Sequence, residues 1–151
     1  MRERRILAID DDELVRRTIV KGLQRTGKYK VSTASGGKLG LKMAKRERPH
    51  VIILDITMPD MSGLDVLREL RCRATTRYTP VLMLTALTDQ DSIDSANHEY
   101  AEQYLTKPFS MTKLDEAVSR AAKQYRATRH LTRPRSLSRR IHGALVRFMA
   151  G

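Results

Sequence analysis

A single cysteine, Cys72, stands in the 151 residues. That excludes an internal disulfide and any multi-cysteine metal site, and it suits a reducing compartment. Also missing is any run near the ~18 apolar residues of a membrane span. The N-terminal Met1-Arg-Glu-Arg-Arg5 leads into only a short apolar run, which is not a secretory pattern. A soluble, cytoplasmic protein is expected. Acids are lacking from one region: residues 117–151 hold nine Lys+Arg and no Asp or Glu, so most of the net charge of +12 belongs to the C-terminal end. Residues 1–116 are near balance, which removes the nucleic-acid signature that the net charge alone would suggest. The hydrophobic content of 40% supports one domain with a real core and a short appendage.

Four short apolar runs, Ile6–Ile9, Val51–Leu54, Val81–Leu84 and Tyr104–Leu105, read as buried strands, and the more polar Tyr29–Ala34 reads as an edge strand. Helical periodicity falls between them. It appears at Leu14, Val15, Ile19 and Leu23; at Leu39, Leu41, Met43 and Ala44; at Leu64, Leu67 and Leu70; weakly over 92–98; and at Leu114, Val118, Ala121 and Tyr125. A (βα) unit repeated five times requires a parallel sheet covered by helices on both faces, a doubly wound α/β fold with right-handed crossovers. Sites in such sheets lie beyond the carboxyl ends of the strands.

Those ends carry chemistry. Ile6-Leu-Ala-Ile runs into Asp10-Asp11-Asp12-Glu13, acids that repel one another more strongly as water is excluded. One Asp suffices to cap the following helix, and Asp12 can take that role or add charge at the pocket rim. Asp55 ends the third strand, Thr85-Ala86 follows the fourth, and Thr106-Lys107-Pro108-Phe109 follows the fifth. Clustered carboxylates are tenable around a hard divalent cation such as Mg²⁺, which favours one or two carboxylates, waters and phosphate oxygens. Lys107 offers a compact positive charge and Thr85 a small donor, a set suited to phosphoryl transfer with one Asp as nucleophile.

With these residues in place, the sequence resembles the two-component response-regulator receiver family, CheY-like. The matching stretches are Ile-Leu-Ala-Ile-Asp10-Asp11, Val-Ile-Ile-Leu-Asp55-Ile-Thr-Met-Pro59-Asp-Met-Ser-Gly63, Pro80-Val-Leu-Met-Leu-Thr85-Ala86 and Tyr104-Leu-Thr-Lys107-Pro108-Phe109, and the likeness covers about residues 4–125. It implies a flavodoxin-like (βα)5 sheet in strand order 2-1-3-4-5. It further implies Asp55 as the phosphoacceptor for a phosphohistidine of a sensor histidine kinase or phosphotransfer protein. Asp10 and Asp11 would hold Mg²⁺ together with Asp55 and the backbone carbonyl of Thr57. Lys107 and Thr85 would contact the phosphoryl group, Thr85 and Tyr104 would act as switch residues, and the Lys107–Pro108 bond would be cis. The output surface for a downstream target would be the helix over 92–98, the fifth strand and the last helix of the body. Such a protein is a phosphoacceptor switch rather than an enzyme.

Residues 1–125 are thus read as the receiver, and 126–151 as a basic linker followed by an amphipathic helix. Arg126–Arg135 reads as a polar connector containing Pro134. From Ser136 onward Leu137, Ile141, Ala144, Leu145, Phe148 and Met149 form one stripe. That tail could pack on the receiver or on a second copy, giving a homodimer, or dock on a partner or an anionic membrane; nucleic acid is disfavoured, because the tail is too short for a helix-turn-helix and has no aromatic platform beyond Phe148. Tyr100-Ala101 departs from the family's usual Gly-Ala and points to an altered helix over 92–98. Two rivals remain. Asp10-Asp11-Asp12 is also how a haloacid-dehalogenase-type phosphatase begins, with Asp10 as nucleophile, but no later acidic motif suits it and Asp55 is left unexplained. A receiver-fold scaffold whose tail is the functional part would leave the complete pocket unused.

Overall fold

The computed structural model describes residues 2–86 and 103–132. Its elements are β1 (Arg4–Ile9), α1 (Glu13–Gln24), β2 (Tyr29–Ala34), α2 (Gly37–Glu47), β3 (Val51–Asp55), α3 (Gly63–Cys72), β4 (Val81–Thr85), β5 (Gln103–Thr106) and α4 (Met111–Thr132). The five strands form one sheet in the order β2-β1-β3-β4-β5, and every neighbouring pair is parallel. This is the flavodoxin-like arrangement expected from the sequence, with the polar strand β2 at an edge.

Alternation along each strand divides the core in two. From β1 and β3, Leu7, Ile9, Ile52 and Leu54 pack with Leu41 and Ala44 of α2 and Val66, Leu67 and Leu70 of α3. On the opposite face Ile6, Ala8, Val51 and Ile53 meet Ile19 and Leu23 of α1 and Leu114, Val118 and Ala121 of α4. Burial on both faces is why the central strands read as unbroken apolar runs.

Three expectations are adjusted. Leu14 (73% exposed) and Leu39 (45% exposed) are not core residues. Both lie in the first turn of their helices, and the first buried large apolar side chains come further along, at Ile19 and at Leu41. The stretch expected to be a connector after Tyr125 is helical as far as Thr132. Arg126-Ala-Thr-Arg-His-Leu-Thr132 contains neither Gly nor Pro, so nothing in it breaks a helix, and Pro134 comes two residues later. The helix expected over 92–98, the Tyr100-Ala101 cap and the amphipathic segment from Ser136 lie outside the described residues.

Candidate functional site

Sheet register brings the expected residues together. Ile9 is paired with Leu54 and Asp55 with Leu84, so Asp10, Asp55 and Thr85 emerge side by side at the carboxyl edge. Thr85 is paired with Thr106, and the Lys107 amide donates to the Thr85 carbonyl at 2.6 Å, which sets Lys107 at the same edge. Its Nζ then donates to Asp10 Oδ2 at 2.9 Å and to Asp55 Oδ1 at 3.1 Å. Asp10 (1% exposed), Asp55 (4%) and Thr85 (3%) are buried. Asp11 is exposed at the rim, and carboxylate oxygens of Asp10, Asp11 and Asp55 lie within 4.8 Å of one another.

The four consecutive acids now have separate roles. The second oxygen of Asp10 accepts from the Asp12 amide at 2.9 Å, while the Asp10 carbonyl accepts from the Arg16 guanidinium at 2.7 Å. Asp12 is the N-cap of α1, accepting from the Leu14 amide at 2.8 Å. Glu13 pairs with Arg17 one turn along at 2.7 Å. Asp11 is left at the rim beside Asp10 and Asp55, and among the described residues its carboxylate has no hydrogen bond or ion pair.

Burial and the nearby charge of Asp10 push the Asp55 carboxyl up to about 6, against the pull of Lys107. For Lys107, burial works to lower the amine, but its hydrogen bond to Asp10 and the charges of Asp10 and Asp55 outweigh this and raise it above its ordinary value. The pocket therefore holds more negative charge than its one lysine balances. That is the chemistry of a cation site, and the three carboxylates fit Mg²⁺.

The β3–α3 loop is fixed by contacts that sequence reasoning missed. Asp60 reaches across to α2 and accepts from the amides of Gly37 and Lys38, both at 3.1 Å. These backbone donors hold its carboxyl below the usual range. The N-cap of α2 is Gly36, which has no capping side chain of its own, and Asp60 supplies the acceptor. Ser62 caps α3 through the Leu64 amide at 3.2 Å, and Gly63 donates to the Ile56 carbonyl at 2.7 Å. A Cβ on Gly63 would run into the Asp55 carbonyl, which explains the glycine that closes the Met-Pro-Asp-Met-Ser-Gly stretch. Thr57 lies exposed in this loop, two residues after Asp55. Tyr104 is half-buried against the core and stands in register with Met83, beside the Thr85 end of β4; burial raises its hydroxyl above the ordinary value. The Lys107–Pro108 bond is cis.

A doubly wound parallel sheet with three acids and a bridging lysine at its carboxyl edge is the arrangement of the receiver class. A family model described as the response regulator receiver domain matches residues 6–119, and the chain belongs to that family. It is 38% identical over 129 residues to the transcriptional regulatory protein KdpE of Mycobacterium tuberculosis, covering 85% of this chain and 55% of that protein. With PdtaR, another transcriptional regulatory protein of M. tuberculosis, it shares 32% over 123 residues, covering 82% of this chain and 58% of the other. The chain thus spans little more than half the length of these relatives. Among solved structures, a response regulator receiver domain protein from Clostridium thermocellum superposes with a TM-score of 0.75 at 32% identity, covering 82% and 98% of the two chains. The chemotaxis protein CheY4 of Vibrio cholerae does so at 0.69 and 31%, covering 80% and 99%. Membership of this family sets aside the haloacid-dehalogenase-type reading of Asp10. Among the described residues no helix is long and apolar enough to cross a membrane.

Proposed function

We propose that this receiver takes a phosphoryl group from a phosphohistidine onto Asp55, and that the acyl phosphate changes the surface it presents to a target. The observation that carries the reading is the Lys107 amine held between Asp10 and Asp55, at 2.9 and 3.1 Å, in a pocket with excess negative charge. A carboxylate oxygen of Asp55 attacks phosphorus, the P–N bond to the donor imidazole breaks, and the ring nitrogen keeps the electron pair and takes a proton. Asp10, Asp11, Asp55 and the carbonyl of Thr57 would hold Mg²⁺, which would supply positive charge against the phosphoryl oxygens. Lys107 turns from Asp55 to a phosphoryl oxygen, and the Thr85 hydroxyl donates to another. The added charge of about −1.5 to −2 and its three acceptor oxygens draw Thr85 inward, and Tyr104 follows.

The chain works in this reading as a switch that assists its own phosphorylation and dephosphorylation, in the cytoplasm. Its partners are a sensor histidine kinase or phosphotransfer protein and a downstream protein, or a second copy, at the face of β5 and α4. Labelling with a small phosphodonor and Mg²⁺ tests it. Wild type should take up one phosphoryl group and Asp55→Asn none while remaining folded; equal labelling of both would overturn the assignment.

A further inference from the structure

Opposite the acidic pocket, the edge where the strands begin is basic. Arg4 opens β1, with Arg2 just before it and the exposed Glu3 between them; Lys28 and Lys30 flank the start of β2, Arg48 precedes β3 and Arg77 precedes β4. Hydrogen bonds confirm the shared edge: the Arg4 amide donates to the Lys28 carbonyl at 3.1 Å, and the His50 amide to the Arg5 carbonyl at 2.8 Å. All six cations are exposed except Arg4, which is half-buried, and among the described residues none has a carboxylate within ion-pair reach.

A structural role accounts for the other cations of this edge but not for these. Lys21, Lys45, Arg46 and Arg71 sit in last helical turns, where they offset the helix dipoles. Arg5 is occupied by the Glu47 and Arg48 carbonyls at the end of α2, at 3.1 and 2.9 Å. Arg73 is paired with Glu69. Arg48 moreover holds a left-handed backbone (φ 47°) that Gly would adopt without strain, so its side chain is kept where the backbone argues against it.

The acid-free C-terminal segment leads off from this same edge. The Tyr125 ring of α4 lies 4.8 Å from the ring of His50, just before β3, and is followed by the exposed Arg126. The basic character of the edge therefore extends to Arg126 of α4, where the acid-free segment continues the helix.

We infer that the strand-start edge of this receiver binds the phosphodiester backbone of a nucleic acid, without sequence preference. Arginine predominates in the set, and its planar fork suits phosphate oxygens. A lipid surface fits less well, because among the described residues Tyr78 is the only large apolar side chain exposed there; Leu14 and Leu39 lie at the opposite ends of their helices. The acidic pocket at the far edge orients the molecule, repelling the polyanion at one end while the other attracts it. This interaction is independent of phosphorylation at Asp55.

Fluorescence anisotropy of the full chain with a labelled single strand of about 20 nucleotides tests the inference, titrated between roughly 0.05 and 0.2 M salt. Six backbone contacts give a slope of log K against log salt near −4, at about 0.7 per contact. The quadruple variant Lys28→Gln, Lys30→Gln, Arg48→Gly, Arg77→Gln should flatten the slope by about three and weaken binding at least tenfold near 0.1 M. Should that variant lose its cooperative thermal transition, Lys30→Gln and Arg48→Gly alone should each flatten the slope by about 0.7. Three results would overturn the inference. One is unchanged binding in the edge variants with loss only on Arg133, Arg135, Arg139 and Arg140→Gln, which assigns binding to the tail. Another is binding to phosphatidylglycerol vesicles but not to the oligonucleotide. The last is no binding to either at low salt.

Discussion

Removing the charge of Asp55 should make the metal-free protein more stable, although it takes away the proposed phosphoacceptor. The Asp55 carboxyl is pushed up to about 6 in the fold from an ordinary 3.8. A folded-state value above the unfolded one stabilises the native state where the group is protonated, below the unfolded value, and that contribution is lost as pH rises towards 6. At neutral pH the fold therefore holds a carboxylate against its preference. At about 1.4 kcal/mol per unit, the shift corresponds to roughly 3 kcal/mol. Asp55→Asn removes that cost, and its amide oxygen still accepts from Lys107 but without the carboxylate's charge, so a gain of about 1–3 kcal/mol is expected. Urea denaturation in EDTA at pH 7.5 reads it as a higher midpoint at constant slope. Near pH 4 the gap should close, because the wild-type carboxyl is then protonated in the fold as well. Mg²⁺ should narrow the gap at pH 7.5 by stabilising only the wild type. An Asp55→Asn protein less stable than wild type in EDTA at pH 7.5 would refute the electrostatic reasoning.

Gly63→Ala should cost about 2–3 kcal/mol in chemical denaturation, since the new methyl meets the Asp55 carbonyl, backbone that cannot step aside. Asp60→Ala uncaps α2 and should cost about 1 kcal/mol. It should also weaken Mg²⁺ binding measured by titration calorimetry, because the loop that carries Thr57 loses its tie to α2. His50 is lowered to about 4 by burial and by Arg5 and Arg4, so its contribution to stability is present above pH 6.5 and is lost as pH falls towards 4. In an Asp55→Asn background, His50→Asn keeps an acceptor for the Arg5 amide and should flatten stability against pH over that window; an unchanged profile would remove His50 from the account.

The strand ends were legible because register in a parallel sheet is dictated by burial on both faces. Once Ile6–Ile9, Val51–Leu54 and Val81–Leu84 are read as strands, Asp10, Asp55 and Thr85 have to share an edge. Asp12 was also readable as a cap, from its place just before a helical pattern. Contacts between elements distant in sequence were not. Nothing local shows that Asp60 would cap a helix more than twenty residues earlier, or that Arg5 would hold the last carbonyls of α2. Helix length after Tyr125 was misread because polar residues with good helical propensity look like a linker when no buried stripe marks them. The basic edge escaped for a related reason: its cations come from the start of β1 and three connections, and only the fold sets them side by side.

The most direct test of the central claim is to locate the acyl phosphate. The full chain is incubated with a small phosphodonor and Mg²⁺, the product trapped with borohydride, and the modified residue found by mass spectrometry. Conversion of Asp55 to homoserine, with Asp10 and Asp11 untouched, is the expected result; modification at Asp10 or Asp11, or none under conditions where Mg²⁺ binds, would contradict the account.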